Sequence, residues 1–148
     1  MREGRQRVEA RFENTVHWRV TWGQCDPAGI VFNPRFIEVF DDCTARLLEV
    51  ATGMGKRDFL DAYEAAGIPL VETTARFLRP VTYGDVCEIT SRAAWLTTSS
   101  FGVRHELQLR GEIAAEGEEV RVWTARDGSG RMRSAPLPAP LRETLISG

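Results

Sequence analysis

Asn33-Pro34-Arg35-Phe36-Ile37-Glu38-Val39-Phe40-Asp41-Asp42-Cys43-Thr44-Ala45-Arg46-Leu47-Leu48-Glu49-Val50-Ala51 is the stretch on which the fold turns. Asparagine is a favoured helix cap and proline suits the first helical position, so Asn33-Pro34 marks a helix start. Phe36, Phe40, Cys43, Leu47 and Val50 recur at helical spacing, and Ile37, Val39 and Leu48 widen the stripe. A helix over 34–51 is expected to run about 27 Å at ~1.5 Å per residue. Being apolar around much of its circumference, it needs cover on more than one side.

Outward from this helix the pattern changes. Upstream, Val16, Trp18 and Val20 alternate with His17, Arg19 and Thr21, which predicts a half-buried strand over roughly 12–22. Gly23-Gln24-Cys25-Asp26-Pro27-Ala28-Gly29 then reads as a turn. Downstream, Thr52-Gly53-Met54-Gly55 breaks the helix, and a shorter one is expected over 56–66, stopped by Gly67 and Pro69. Strands are expected over 70–81 and over 86–98, the latter with Cys87, Ile89, Ser91, Ala93 and Trp95 on one face. Phe101, Val103, His105, Leu107 and Leu109 alternate with polar residues over 101–110. A polar loop over 111–117 leads to a strand over 120–126, Gly128-Ser129-Gly130 reads as a hairpin turn, and 136–145 suits a short final helix. One long apolar helix followed by successive strands is an α+β pattern, with an antiparallel sheet covering the helix. Open sheet edges invite pairing with a second copy, so at least a dimer is expected.

Composition narrows the function classes. With 148 residues, 43% of them hydrophobic and 27% charged, the chain suits a single packed domain over 1–148, with 1–11 expected as a flexible tail. A net charge of −2 with no block of like charges removes the electrostatic basis for nucleic-acid binding. No apolar run approaches the ~18–20 residues of a membrane span, and the charged opening Met1-Arg2-Glu3-Gly4-Arg5 does not read as a signal peptide. Cys25, Cys43 and Cys87 form no CxxC pair, so reduced thiols and a cytoplasmic location are expected. With only His17 and His105 to add, neither a metal site nor a bound cofactor is expected. His105, on the apolar face of its strand, reads as a core histidine, and Trp18, Trp22, Trp95 and Trp123 as core aromatics.

Chemistry concentrates in residues 23–34. Asp26 sits in a tight turn just upstream of a helix start, where free amides and the helix dipole can receive an oxygen that gains negative charge. A carboxylate beside such donors can attack a carbonyl or activate water. Gly29 permits close approach, and Ile30-Val31-Phe32 can exclude water. On its residues alone, the segment equally suits a plain turn in which Asp26 caps its own loop. Cys25 adjoins Asp26, but a thiol nucleophile needs a histidine base that the sequence does not place nearby.

Trp22-Gly23-Gln24-Cys25 followed by Asp26-Pro27-Ala28-Gly29-Ile30-Val31-Phe32-Asn33-Pro34-Arg35-Phe36 resembles the signature of the 4-hydroxybenzoyl-CoA thioesterase family. Gly67-Ile68-Pro69-Leu70-Val71, Ala75-Arg76-Phe77, Pro80-Val81-Thr82-Tyr83-Gly84-Asp85, Ser100-Phe101 with Arg104-His105, and Arg121-Val122-Trp123 follow in family order, over about 16–141. The resemblance implies a hotdog fold, an acyl-CoA substrate, and a side-by-side homodimer, often doubled to a homotetramer, with active sites at the subunit interface. It implies Asp26 as the catalytic carboxylate and the Asn33 amide as the group that polarises the thioester carbonyl. It implies an acyl pocket at Gly29, Phe32 and Phe36, with Asp41 placed to bind a ring hydroxyl; on the residues alone, Asp41 or its neighbour Asp42 can be the solvent-facing one. The sequence departs from the hydroxybenzoyl branch at Leu96-Thr97-Thr98-Ser99, where that branch carries a basic cluster for the CoA phosphates. Thr98, Ser99, Ser100 and Arg104 are the candidate CoA contacts here, with Arg79, Arg126, Arg131 and Arg133 as alternatives that equally suit solvated positions. The expected activity is hydrolysis of an aromatic, 4-hydroxybenzoyl-like acyl-CoA. The alternatives are a short- or medium-chain acyl-CoA or acyl-carrier thioesterase, and a non-catalytic acyl-CoA-binding module.

Overall fold

In the computed structural model, which describes residues 6–148, the long helix α1 covers Asn33–Thr52. Phe32, not Asn33, is its N-cap, because the Phe32 amide donates to the Gln24 carbonyl (2.9 Å) and stays extended. At ~1.5 Å per residue its 20 residues span about 30 Å. Phe36, Phe40, Cys43, Thr44, Leu47 and Leu48 are its buried residues.

The remaining elements are β1 (Val8–Glu9), β2 (Glu13–Arg19), a 3-10 turn (Trp22–Gln24), α2 (Lys56–Ala62), β3 (Leu70–Phe77), β4 (Val86–Leu96), β5 (Ser100–Leu109), β6 (Glu112–Val122), β7 (Thr124–Arg126), β8 (Met132–Ser134) and α3 (Ala139–Ser147). A six-stranded antiparallel sheet has the order β1-β4-β5-β6-β3, and β2 pairs with β4 alongside β1. One face of this sheet lies against α1, which is the hotdog arrangement. Two apolar clusters fill the space between: Leu47, Leu48, Phe59, Trp123, Leu141 and Leu145 at one end of α1, and Phe36, Phe40, Cys43, Ile89 and Leu107 at the other. Among the described residues, no helix is long and apolar enough to cross a membrane.

Four expectations are corrected. First, the described part of the expected flexible tail is ordered into the sheet edge. β1 pairs with β4, Ala10 donates to Ala94 (3.1 Å), and the Arg11 and Phe12 amides both donate to the Leu145 carbonyl (2.9 and 3.1 Å). Backbone hydrogen bonds, invisible in side-chain polarity, hold it; residues 1–5 lie outside the described residues. Second, the expected loop over 111–117 is the start of β6. Arg110 (φ 53°) and Gly111 (φ 79°) make a two-residue hairpin, and Glu112 and Glu116 read as loop only because they point to solvent. Third, Trp95 leaves the inner face. A bulge between Ala93 and Trp95 shifts the register, so Leu96 is buried in its place and Trp95 lies over Gly102, with the Arg7 guanidinium 3.8 Å above its ring. Fourth, Trp22 is not core but 62% exposed, in an edge-to-face pair with Tyr83.

Gly117 lies beneath the Phe40 ring, opposite His105 across the β5–β6 ladder. A Cβ there would stand 2.6 Å from Phe40, which is buried and cannot yield, whereas the Cβ of an alanine at 102 would press on the half-buried Trp95. Overpacking of this kind costs about 1–3 kcal/mol. Gly117→Ala is therefore expected to lower stability by that amount in urea unfolding, and Gly102→Ala by less.

Candidate active site

The segment from the 3-10 turn to α1 is held almost entirely by its backbone. The Asp26 amide donates to the Ile30 carbonyl (2.9 Å) and the Gly29 amide to the Asp26 carbonyl (2.9 Å), with Gly29 at φ +83°, a conformation that favours glycine. The Val31 amide donates to Val81 (2.8 Å), and the Tyr83 amide to Gly29 (3.1 Å). These bonds fasten the turn to the segment leading into β4. Asp26 itself is half-buried, and its Oδ1 accepts the Ala28 amide at 2.8 Å. The carboxylate thus does cap its own turn, as the plain reading has it. The cap engages one oxygen; among the described residues no donor is bonded to Oδ2.

Asn33 is the first residue of α1, where helix geometry offers its amide no acceptor, and Pro34 next to it has no N–H at all. The Asn33 amide is the donor nearest the turn at the positive end of the helix dipole. Phe32, which joins the turn to this first residue of the helix, keeps a half-exposed ring. Phe36 is different from what its place in the motif suggests: it is buried, packed between Trp18 (centroids 6.0 Å) and Phe77 (5.2 Å). Phe77, on the edge strand β3 and 44% exposed, presents the open aromatic surface instead.

Asp41 and Asp42, consecutive on α1, point about 100° apart and take different partners. Asp42 faces Arg46 on the same helix at 4.0 Å, and both are exposed. Asp41 reaches across to β6, where it accepts a hydrogen bond from Arg121 Nη2 while its side chain stays 60% exposed. Neither Arg121 nor its neighbour Glu119 was singled out by chemistry in the sequence. The signal was there: residues 119 and 121 share one face of β6, in step with Trp123 just past its end, which is buried in the core.

Glu119, His105, Thr44 and Ser91 form a fully buried polar group against α1. Glu119 accepts from Thr44 Oγ1 (2.7 Å) and Arg121 Nε (2.7 Å), and lies 3.2 Å from His105 Nε2. Ser91 Oγ is 2.7 Å from His105 Nδ1, so His105 is a satisfied core histidine. Burial alone would raise the Glu119 carboxyl, but the hydrogen bonds from His105, Arg121 and Thr44 outweigh it and hold the group below the ordinary 4.5. Cys25 has no histidine beside it; its Sγ faces the Thr21 carbonyl (3.6 Å). Burial pushes the Cys43 thiol to about 12, with the charge of Asp42 adding to it, and the Cys87 thiol to about 11, so both are poor nucleophiles.

The candidate CoA contacts are not brought to Asp26 within one chain. Thr98 and Ser99 form the β4–β5 hairpin, closed by Thr97 Oγ1 to Ser100 Oγ (2.5 Å) and the Thr97 amide to the Ser100 carbonyl (2.8 Å). That hairpin is at the far end of β4, whose 11 residues span roughly 35 Å at ~3.3 Å each. Arg104 points away from α1 and bonds Glu118 at 2.9 Å. A cleft of about 280 Å³ on that outer face is lined by Arg76, Arg104, Glu106, Glu116 and Glu118, none of them belonging to the Asp26 turn.

The sequence model of the Thioesterase-like superfamily matches residues 20–145, and the chain belongs to that family. It is 28% identical over 131 residues to the 4-hydroxybenzoyl-CoA thioesterase of Pseudomonas sp. (strain CBS-3), covering 84% of this chain and 92% of that one. The solved structure of that thioesterase superposes with a TM-score of 0.80 at 27% identity, over 91% of this chain and 99% of the other. A gentisyl-coenzyme A thioesterase superposes with a TM-score of 0.75 at 28% identity, over 89% and 98%. The 1,4-dihydroxy-2-naphthoyl-CoA hydrolase of Thermosynechococcus vestitus (strain NIES-2133 / IAM M-273 / BP-1) is 27% identical over 143 residues, 92% of this chain and 88% of that one.

The lowered Glu119 carboxyl carries a sign. Between its folded value and 4.5 the unfolded chain holds the proton and the folded chain does not, so stability falls as pH drops through that window. Removing the charge leaves Arg121 with only the exposed Asp41 as counter-charge, and breaking a buried pair of this kind costs up to about 3–5 kcal/mol. Glu119→Gln is expected to depress the melting temperature strongly at neutral pH, with the gap to the parent narrowing below pH 4.5.

Proposed function

We propose that the chain hydrolyses aromatic acyl-CoA thioesters to the free acid and CoA. The observation that carries this reading is a carboxylate in a turn, with Oδ1 anchored and Oδ2 open, followed seven residues on by the first amide of a 20-residue helix. Relatives named for hydroxybenzoyl, gentisyl and dihydroxynaphthoyl thioesters support an aromatic acyl group. Asp26 Oδ2 acts in one of two ways. It adds to the thioester carbonyl, expelling the CoA thiolate and leaving a mixed anhydride that water hydrolyses, or it takes a proton from a water that adds directly. In both, the carbonyl oxygen gains negative charge that the Asn33 amide and the helix dipole receive, and the departing sulfur takes up a proton.

The edge strand β3 supports a side-by-side homodimer. Leu70, Val71, Phe77 and Leu78 are exposed along it and beyond its end, the kind of surface a monomer does not keep. A two-fold axis between two β3 strands turns the partner end for end. The partner's β4–β5 hairpin then stands at the same end as the Asp26 turn, which is how Thr98, Ser99 and Ser100 would reach the CoA of a neighbouring site. Two such dimers would make a tetramer.

Thiol release from a panel of benzoyl-, 4-hydroxybenzoyl- and hexanoyl-CoA tests the activity. Hydrolysis of the aromatic esters is expected, with Asp26→Asn slower by about a hundredfold or more. An Asp26→Asn enzyme as fast as the parent, or a protein inert toward all three, rejects the proposal. Hexanoyl-CoA as the best substrate favours a linear-chain enzyme. Val71→Lys, which places a charge on the β3 edge, is expected to yield a monomer by light scattering and to lose activity with the dimer.

A further inference from the structure

β6 carries two charges into the interior: Glu119 and Arg121 are 4% and 6% exposed. Charges buried this deeply persist only when paired and hydrogen-bonded. Glu119 meets that condition through Thr44, His105 and Arg121, and His105 is clamped in turn by Ser91 and by the Phe40 ring stacked on it, with centroids 4.8 Å apart. Arg121 Nε donates to Glu119, and Nη1 donates to the Ile68 carbonyl (3.1 Å), which precedes β3. Two arms of the guanidinium are thereby fixed to the interior. The third, Nη2, donates to Asp41, the one exposed member of the chain of groups.

We propose that Arg121 is a positioning residue for acyl-group selection: it holds Asp41 Oδ1 so that Oδ2 is aimed at a ring substituent that can donate a hydrogen bond. The inference rests on the reading of Asp41 as an acyl-pocket residue. Asp41 lies eight residues beyond Asn33, about 12 Å along the helix. A single aromatic ring, with its carbonyl at the Asn33 amide and a hydroxyl or amino group opposite, fills that span with a hydrogen bond at each end. A free aspartate on a helix surface samples several rotamers; one tied to a guanidinium that is itself tied down does not. Glu119 offsets the charge of Arg121, so the subsite presents an acceptor and no net attraction for an anion. Phenols and anilines suit it, and a ring bearing a carboxylate meets like charge.

The test compares kcat/KM for 4-hydroxybenzoyl-CoA and benzoyl-CoA in the parent, Asp41→Ala, Arg121→Met and Arg121→Lys. In Arg121→Met the hydroxybenzoyl-to-benzoyl ratio is expected to fall about tenfold or more, mainly through KM, as it does in Asp41→Ala. Arg121→Lys is expected to lower the ratio as well, because one ammonium cannot hold Glu119, Ile68 and Asp41 together. Equal losses for both substrates in Arg121→Met would mean a merely structural role and overturn the inference. If Asp41→Ala leaves the ratio unchanged, the reading of Asp41 fails and the inference with it. If Asp41→Ala lowers the ratio while both Arg121 variants keep it, the inference alone fails. Should Arg121→Met not fold, Arg121→Lys and a Glu119→Gln/Arg121→Met double variant, which removes both buried charges together, carry the same comparison.

Discussion

Because α1 is apolar on more than one side, it must lie against the sheet, and that requirement fixes where its first turn points. The sheet supplies Ile89, Leu107 and Phe101 beneath it, and the chain must climb from the end of β2 at Arg19 to the start of α1 at Asn33 through residues 20–32. That climb is the Asp26 turn. Several of its amides hold the path, that of Val31 against Val81 on one side and that of Phe32 against Gln24 on the other. The covered helix thus fixes where the turn must deliver the chain, at the first helical amide of Asn33.

The inner face of the sheet is not purely apolar, and its exceptions are grouped. Ser91, His105, Glu119 and Arg121 occupy inward positions on three adjacent strands, and Thr44 meets them from the helix. Spread singly through the core, each would carry a desolvation cost with nothing to offset it. Collected, they satisfy one another, and among the described residues no buried side-chain polar atom lacks a partner. The group ends at Asp41, so the polar seam runs from the middle of the core to the surface between α1 and β3.

The sequence makes α1, β2 and β5 legible because their side chains alternate or recur with the period of the element. β6 was half hidden, since Glu112, Glu116 and Glu118 point outward and Ala114 and Ala115 are small, leaving no apolar rhythm to detect until Val120. Trp95 was misplaced by a bulge, which one-dimensional periodicity cannot register. The Asp26 turn was legible as candidate chemistry from residue types, and its weight came from likeness to a known motif. Partnerships were not legible: nothing in the order of residues ties Asp41 to Arg121, 80 positions on, and Phe77 gave no sign that it would take the open place beside Phe36.

The seam from Ser91 to Asp41 has a consequence for how such a protein can change. An ordinary pocket residue can drift with little penalty, letting a lineage sample new ligands one replacement at a time. Here the residue proposed to choose the ligand is the tip of a structure whose root lies inside the hydrophobic interior. Altering the root imperils the whole molecule, while altering the tip alone leaves one arm of a guanidinium, otherwise tied to Glu119 and Ile68, without its outer partner. Divergence toward other acyl groups is therefore expected to begin elsewhere, at Phe32 and Phe77, where the wall is open and substitutions are cheap.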